Sequence, residues 1–491
     1  LIELEEFILS KISIRKNYLY NLSYQLLIII TPLITTPYVS RVLGANGIGT
    51  HSYYESITSY FVLFANIGLS IYGQREIAYY REDLNKRSEI FWNLKVLSFI
   101  TSLFSLLIYL IFGFYHKMNI LYFILSLNII AVVFDISWFF QGLEEFSKTV
   151  LRNTFCKIAN IFFIYLFIKD PTDLALYTFG FCFFTLLGNI SLWLYLPKYV
   201  NGIDLSKIKP FKDFKVVLIL FIPTIAVQIY TVLDKTMIGL ITQDSFQNGY
   251  YEQAMKITKI VLALVNSLGA VMIPRIGFHY NRGEFDVIKT YMYRGYRFVF
   301  LIGFPLCLGI VSVSSNFVPW FFGNGYNDVV PLLKILSFLI ISIGMSNLTG
   351  MLYLIPTGRE KFFTVSVIIG AIINFFLNLV LIPKFLSIGA AIASLFAESL
   401  ISIVQFYFVR DELNIKYILS SSIKYILSSI VMFIMLSITG KYLSPSIFNT
   451  SLLVFSGGML YFIVLFIIKD SFFIEHLNKL LSFIRSYLKK K

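Results

Sequence analysis

The sequence predicts an all-α polytopic membrane protein of about fourteen transmembrane helices, arranged as two six-helix lobes in parallel pseudo-repeat plus a C-terminal hairpin. Three observations carry this. Apolar and aromatic residues make up 57% of the 491 residues and charged residues only 14%, where soluble domains carry about 25% charge. Mean hydropathy is +0.76, more apolar surface than a soluble core absorbs while polar residues still cover its outside. The apolar residues fall in stretches of about 20, the length that crosses a hydrocarbon core of ~30 Å. Disorder, coiled coils and disulfide scaffolds are excluded. Cys156, Cys182 and Cys307 lie inside apolar stretches and read as small buried residues.

Residues 1–17 are charged and amphipathic and read as a cytoplasmic N-terminal segment, with no secretory signal ahead of the first span. The N-lobe, 18–215, holds spans at 18–39, 52–73, 91–114, 118–140, 153–168 and 174–196. Pro32 and Pro37 sit in the first, where a missing backbone donor favours a bend. Lys95 and Asp135 lie near inner ends and are expected to reach water or headgroups. The C-lobe, 216–409, holds spans at 216–240, 250–273, 298–318, 329–355, 362–383 and 388–409, with Pro223 and Pro305 inside helical runs. Residues 410–491 form a helical hairpin, 419–440 and 448–468, and a basic tail.

Basic residues orient the chain. With the N-terminus inside, inner segments hold 29 Lys and Arg and outer loops hold five, namely Arg41, Lys117, Lys169, Lys384 and Lys441. That asymmetry predicts both termini in the cytoplasm. The net charge of +14 therefore reads as topology and not as nucleic-acid binding, since no basic run stands on a soluble domain.

Two stretches about 200 residues apart repeat. Tyr53-Tyr54-Glu55 opens the second span and Tyr250-Tyr251-Glu252 the eighth. Arg75, Tyr80 and Arg81 follow the first; Arg275, Tyr280 and Arg282 follow the second. Both copies fall on the same expected side, as in transporters built from parallel repeats.

Loops are too short for a catalytic or nucleotide-binding domain, and there is no G-x-x-x-x-G-K-[ST] motif. The four histidines, His51, His116, His279 and His476, are scattered without metal-ligand spacing. An enzyme reading has no residues to rest on, and no cofactor is expected. Interest falls on polar residues inside the spans, which are costly and usually face a cavity or a partner. In the eighth span Glu252, Lys256, Lys259 and Asn266 recur on one helical face, opposite Ile257, Val261, Leu264, Val265 and Leu268. That face either lines an aqueous path or carries lysines that snorkel to the interface. The seventh span carries Thr224, Gln228, Thr231 and Lys235 on one face, with Asp234 beside Lys235. Asp234 can serve substrate or proton handling, or can pair with Lys256 or Lys259. The twelfth carries Ser394, Glu398, Ser402 and Gln405, and the eleventh Asn374 and Asn378. Glu398 is the ion-coupling candidate, for protons or sodium; its alternative is a hydrogen bond between packed helices. In-span basic residues outnumber acidic ones seven to five, which favours an anionic substrate.

Three stretches resemble a known family: NLSYQLLIIITPLITTPYVSRVLGANGIG at 21–49; FDISWFFQGLEEF at 134–146, followed by Arg152-Asn153; and VLDKTMIG at 232–239, leading to YYEQAMKI at 250–257. They resemble the Wzx-type flippases of bacterial capsule and O-antigen assembly, in the MOP superfamily. The resemblance implies a V-shaped, two-lobe, alternating-access transporter of the bacterial cytoplasmic membrane. It implies a substrate of undecaprenyl-diphosphate-linked oligosaccharide repeat units and a cationic cavity, to which Arg41, Lys235 and the basic face of the eighth span are candidates. A polysaccharide polymerase and a chain-length regulator stand as further candidate partners. The alternatives are a multidrug cation exporter of the same superfamily, a lipid II flippase, and a membrane-bound polysaccharide polymerase.

Overall fold

A computed structural model describes residues 2–203, 206, 208–267 and 269–488; the side chains of 1–25, 222–224, 226–227, 229–230, 270–271, 480 and 483–488 are outside the description. The expectations for residues 1–17, Pro223, Thr224 and Leu268 rest on side chains in that excluded set. All regular structure among the described residues is helical. Among the described residues, ten stretches are long and apolar enough to cross a membrane. Two of them, Leu26–Tyr79 and Glu360–Val409, run to 54 and 50 residues. A straight helix of that length would reach about 75–80 Å, more than twice the hydrocarbon core.

Both long stretches are broken inside. The helix α1 (Ile2–Asn66) breaks at Gly44, whose φ of 66° lies in the left-handed region that glycine enters without cost. The first two expected spans therefore meet at a kink and not a loop. The helix that carries the eleventh and twelfth expected spans breaks at Leu386, with φ 55° and ψ −135°.

The chain divides into two compact units, Leu1–Gly239 and Leu240–Lys491. In the first, α1 is followed by α2 (Leu69–Tyr79), α3 (Leu84–Tyr115), α4 (Ile120–Phe134), α5 (Ser137–Gly142), α6 (Phe146–Phe167), α7 (Leu174–Ser191) and α8 (Phe214–Thr242). Helices α3 and α4 are locked by Tyr109 and Tyr122. Their rings stack at 3.9 Å, and each hydroxyl donates to the other residue's carbonyl, at 2.6 and 2.9 Å. The lobe boundary expected at residue 215 falls instead within α8. Thr236 donates to Ser56 Oγ at 2.9 Å and bonds the Tyr60 hydroxyl at 3.1 Å. Gly68, at φ 80°, lets Phe221 and the Val217 carbonyl approach to where its Cβ would meet them at 3.3 Å. These contacts hold α8 to α1.

The second unit holds α9 (Ser245–Asn266), α10 (Gly269–Asn281), α11 (Phe285–Phe322), α12 (Val329–Leu336), α13 (Leu339–Thr349), a π-helical turn at Gly350–Leu354, α14 (Glu360–Val409), α15 (Ile415–Thr439), α16 (Ile447–Ile467) and α17 (Ser471–Leu488). The long α11 is its scaffold, and the hairpin α15–α16 packs on it through Tyr425, Met432, Leu436 and Tyr461. Close helix approach depends on small residues. A Cβ at Gly344 would lie 2.8 Å from Val299, and one at Gly295 2.8 Å from Leu348.

The breaks recur between units. Helix α1 stops at Asn66 and resumes at Leu69; α9 stops at Asn266 and resumes at Gly269. Helix α4 stops at Phe134 before Ser137, as α12 stops at Leu336 before Leu339.

Candidate functional site

Three features of the two units bear on function: a polar cavity in the first, and a basic helix face and an apolar groove in the second.

The polar cavity, of about 530 Å³, is lined by Glu55, Thr58 and Ser59 of α1, Asn128 of α4, Asp135, Thr185 and Asn189 of α7, and Gln228 of α8, among others. The break between α4 and α5 builds one wall. Asp135, between α4 and α5, accepts the Ser137 backbone N–H at 2.8 Å and the Ser137 hydroxyl. Carbonyls freed by the break need donors, because an unpaired backbone group at this depth costs several kcal/mol. Lys95 donates to the carbonyls of Val133 and Asp135, and Trp193 Nε1 to that of Phe134 at 2.8 Å. Lys95 is therefore buried, only 6% exposed, and does not reach headgroups as expected from its position near a span end. Arg152 donates to Asn189 Oδ1 at 2.7 Å, and Asn189 Nδ2 to the Ala131 carbonyl at 2.8 Å. The FDIS segment and Arg152 of the family-like motif thus hold this wall together.

Of the candidates in the first unit, Gln228 faces the cavity. Lys235 lies 4.0 Å from Glu55 Oε2, Asp234 is buried, and Arg41 is exposed on α1. Glu55, read in the sequence as part of a repeat and as an in-span acidic residue, and Asn128 join Gln228 here. Their convergence from three helices has no signature in local spacing.

In the second unit, the face of α9 that is packed inward is Tyr251, Ala254, Ile257, Thr258, Leu262 and Val265. Lys259 and Asn266 are exposed, and Glu252 and Lys256 half-buried. With three charges in 22 residues, α9 is not among the ten apolar stretches. Asn266 Oδ1 accepts from Asn347 Nδ2 at 3.0 Å.

Glu398 is buried on α14, on a face that serves helix packing. Ser402 donates to the Ser342 carbonyl at 2.8 Å, Gln405 Nε2 to Ser366 Oγ at 3.1 Å, and Asn378 Nδ2 to Asn374 Oδ1 at 3.1 Å. Asn374 Nδ2 in turn reaches Ser394 Oγ at 3.4 Å.

The apolar groove, of about 430 Å³, runs between α9, α11, α15 and α16. Ile257, Val261 and Leu264 of α9 form one wall, Pro305, Gly309 and Val313 of α11 the floor, and Val454, Gly458 and Phe462 of α16 the other wall. Proline and the two glycines keep it open: a Cβ at Gly458 would meet nothing within 4 Å, and one at Gly309 only Met432 Cε at 3.8 Å. Among the described residues no group of three or more His, Cys, Asp or Glu comes together as a metal site.

Fold and features define an all-helical, multi-pass membrane protein. The chain belongs to the family of polysaccharide biosynthesis proteins, which it matches over residues 14–278. It is 25% identical over 410 residues to a protein of Escherichia coli K12 named "Putative O-antigen transporter", covering 82% of this chain and 98% of that one. Two solved structures share the fold. One is described as the lipid II flippase MurJ in an inward closed conformation, with TM-score 0.67 and 16% identity over 91% of this chain and 98% of the other. The second is an inward-facing multidrug resistance MATE family transporter of the MOP superfamily, with TM-score 0.59 and 16% identity over 78% and 97%. The resemblance of the three sequence stretches to Wzx-type flippases agrees with this membership.

Proposed function

We propose that this protein is a flippase that moves polyprenyl-diphosphate-linked oligosaccharide repeat units from the inner to the outer leaflet of the bacterial cytoplasmic membrane, by alternating access. In this reading the chain crosses fourteen times with both termini in the cytoplasm, and performs no covalent chemistry. The observation that carries it is the apolar groove of the second unit, bounded on one side by the helix that bears the basic stripe. A lipid-linked diphosphate has those two chemistries in one molecule. The polyprenyl chain lies along Val261, Pro305 and Gly458, while Lys256 and Lys259, on the face of α9 turned away from the groove, offer cations to the diphosphate, since a dense anion is stabilised by charge-assisted contacts. Arg41 and Lys235 are further cations offered by the first unit. Glu398, buried in the second unit, is proposed to couple transport to a proton or sodium gradient; an ionisable residue within a span is often part of an ion or proton path.

The fold shared with the lipid II flippase favours one second reading, in which the sugar cargo is the cell-wall precursor. Gene deletion separates the two. The first reading predicts a viable strain that loses its surface polysaccharide and regains it when the gene is restored. Loss of viability with intact surface polysaccharide supports the second.

A further inference from the structure

The first unit's cavity has a lining whose charge is opposite to that of the α9 face. Glu55 and Asp135 contribute carboxylates, and Asn128, Asn189 and Gln228 contribute amides; among the described residues no lysine or arginine lines it. Two cations of its walls are engaged with other groups. Lys95 is bonded to main-chain carbonyls and Arg152 to Asn189 Oδ1. Lys235 stands at 4.0 Å from Glu55, the outer limit of an ion pair. A diphosphate is not the complement of such a lining, because like charges repel strongly where water is scarce.

A sugar ring is its complement. Every hydroxyl both donates and accepts; carboxylates offer acceptors, and amides offer one of each. The volume of about 530 Å³ lies within the range of small-ligand sites, roughly 300–1,000 Å³. Asp135 is a fixed acceptor, since Ser137 holds its Oδ1. Glu55 sits about three helical turns before the α1 break at Asn66, with Lys235 Nζ 4.0 Å from its carboxylate.

We propose that this cavity is a sugar subsite of the lipid-linked substrate, and that it admits neutral and amino sugars while rejecting sugars that carry a carboxylate, Glu55 being the discriminating group. The proposal rests on the flippase reading and adds to it the class of sugar and the residue that selects it.

The test uses the full-length protein in proteoliposomes with two probes, undecaprenyl diphosphate bearing glucose and the same lipid bearing glucuronate, each scored for appearance in the opposite leaflet. Wild type is expected to move the glucose lipid at least about tenfold faster than the glucuronate lipid, as a like-charge contact in a partly dry cavity demands. Glu55→Gln is expected to bring that ratio toward one. Gln228→Lys, which adds a cation on a different helix, is expected to lower the ratio as well, so the proposal does not depend on the folding of one variant. Equal movement of both lipids by wild type overturns the subsite while leaving the flippase reading intact. A ratio unmoved in both variants overturns it too. If Glu55→Gln slows both lipids equally and changes the sodium or proton dependence of transport, the cavity is an ion site and the proposal falls. If neither lipid moves, the flippase reading itself fails, and the subsite with it.

Discussion

Adjacent glycines on α16 separate packing from passage. A Cβ at Gly457 would lie 2.8 Å from Leu436 Cδ1 on the neighbouring α15, whereas one at Gly458 meets nothing within 4 Å, because that side opens into the groove. Gly457→Ala is therefore expected to cost about 1–3 kcal/mol through overpacking. Gly458→Ala removes a helix-interior glycine and is expected to be neutral or stabilising by up to ~1 kcal/mol. Gly458→Trp brings about 150–250 Å² of aromatic surface into a space of about 430 Å³. Lipid tails are as apolar as the groove walls, so the hydrophobic effect does not draw a polyprenyl chain in. The groove acts through shape, and obstructing it acts on passage. Export is expected to fall at least about tenfold, equivalent to ~1.4 kcal/mol on the barrier, at wild-type membrane abundance and wild-type Tm. The assay is surface polysaccharide in a complemented deletion strain, with abundance by immunoblot and Tm of the purified protein. Normal export by abundant Gly458→Trp protein refutes the role given to the groove. A Gly457→Ala protein as stable as wild type refutes the packing argument.

Other outcomes follow from the remaining features. Lys259→Ala is expected to weaken export by one to two decades, since a charge-assisted contact contributes ~1.5–3 kcal/mol, and Lys259→Arg to recover much of it; normal export with Lys256 and Lys259 both replaced by Ala removes the basic face from the mechanism. Glu398→Gln is expected to slow export without lowering abundance, and to flatten its dependence on pH or sodium; a rate equal to wild type under all those conditions removes Glu398 from coupling. On α17, hydrogen bonds from Lys479 and Arg294 hold Glu475 down to about 2, from an ordinary value of 4.5. A depressed carboxylate stabilises the folded form above its ordinary value and loses that contribution as pH falls toward the depressed one. Docking of α17 to α11, followed by amide exchange corrected for intrinsic rate, is therefore expected to hold at pH 5 and above and to weaken between about 4.5 and 2. Glu475→Gln should show the weakened state at every pH, and a pH profile identical to wild type contradicts the assignment.

The all-helical membrane fold was legible because ten stretches are long apolar runs, whereas α9, with three charges, falls outside them. Helix breaks were not legible. Apolar residues continue across them, Ile67 in one and Ile136 in another, and what fixes them is distant in sequence: Phe221 against Gly68, Lys95 and Trp193 on the carbonyls of 133–135. The burial of Lys95 was misread for the same reason, since its acceptors exist only where α4 stops. The lobe boundary was drawn at the polar stretch before α8, but the bonds of Thr236 to Ser56 and Tyr60 assign most of α8 to the first unit. Gln228 was visible as an in-span amide. Its meeting with Glu55 and Asn128 was not, because a cavity shared by three helices leaves no periodicity in any one of them.

The central claim is that this chain carries a lipid-linked oligosaccharide across the membrane. Its most direct test is the leaflet in which that lipid resides when the gene is deleted. In spheroplasts of the deletion strain, a membrane-impermeant lectin or periodate should leave the accumulated lipid-linked repeat units unreacted until the membrane is opened, and restoring the gene should expose them. Repeat units that react in sealed spheroplasts of the deletion strain, outside but unpolymerised, would contradict the account and assign the chain to polymerisation.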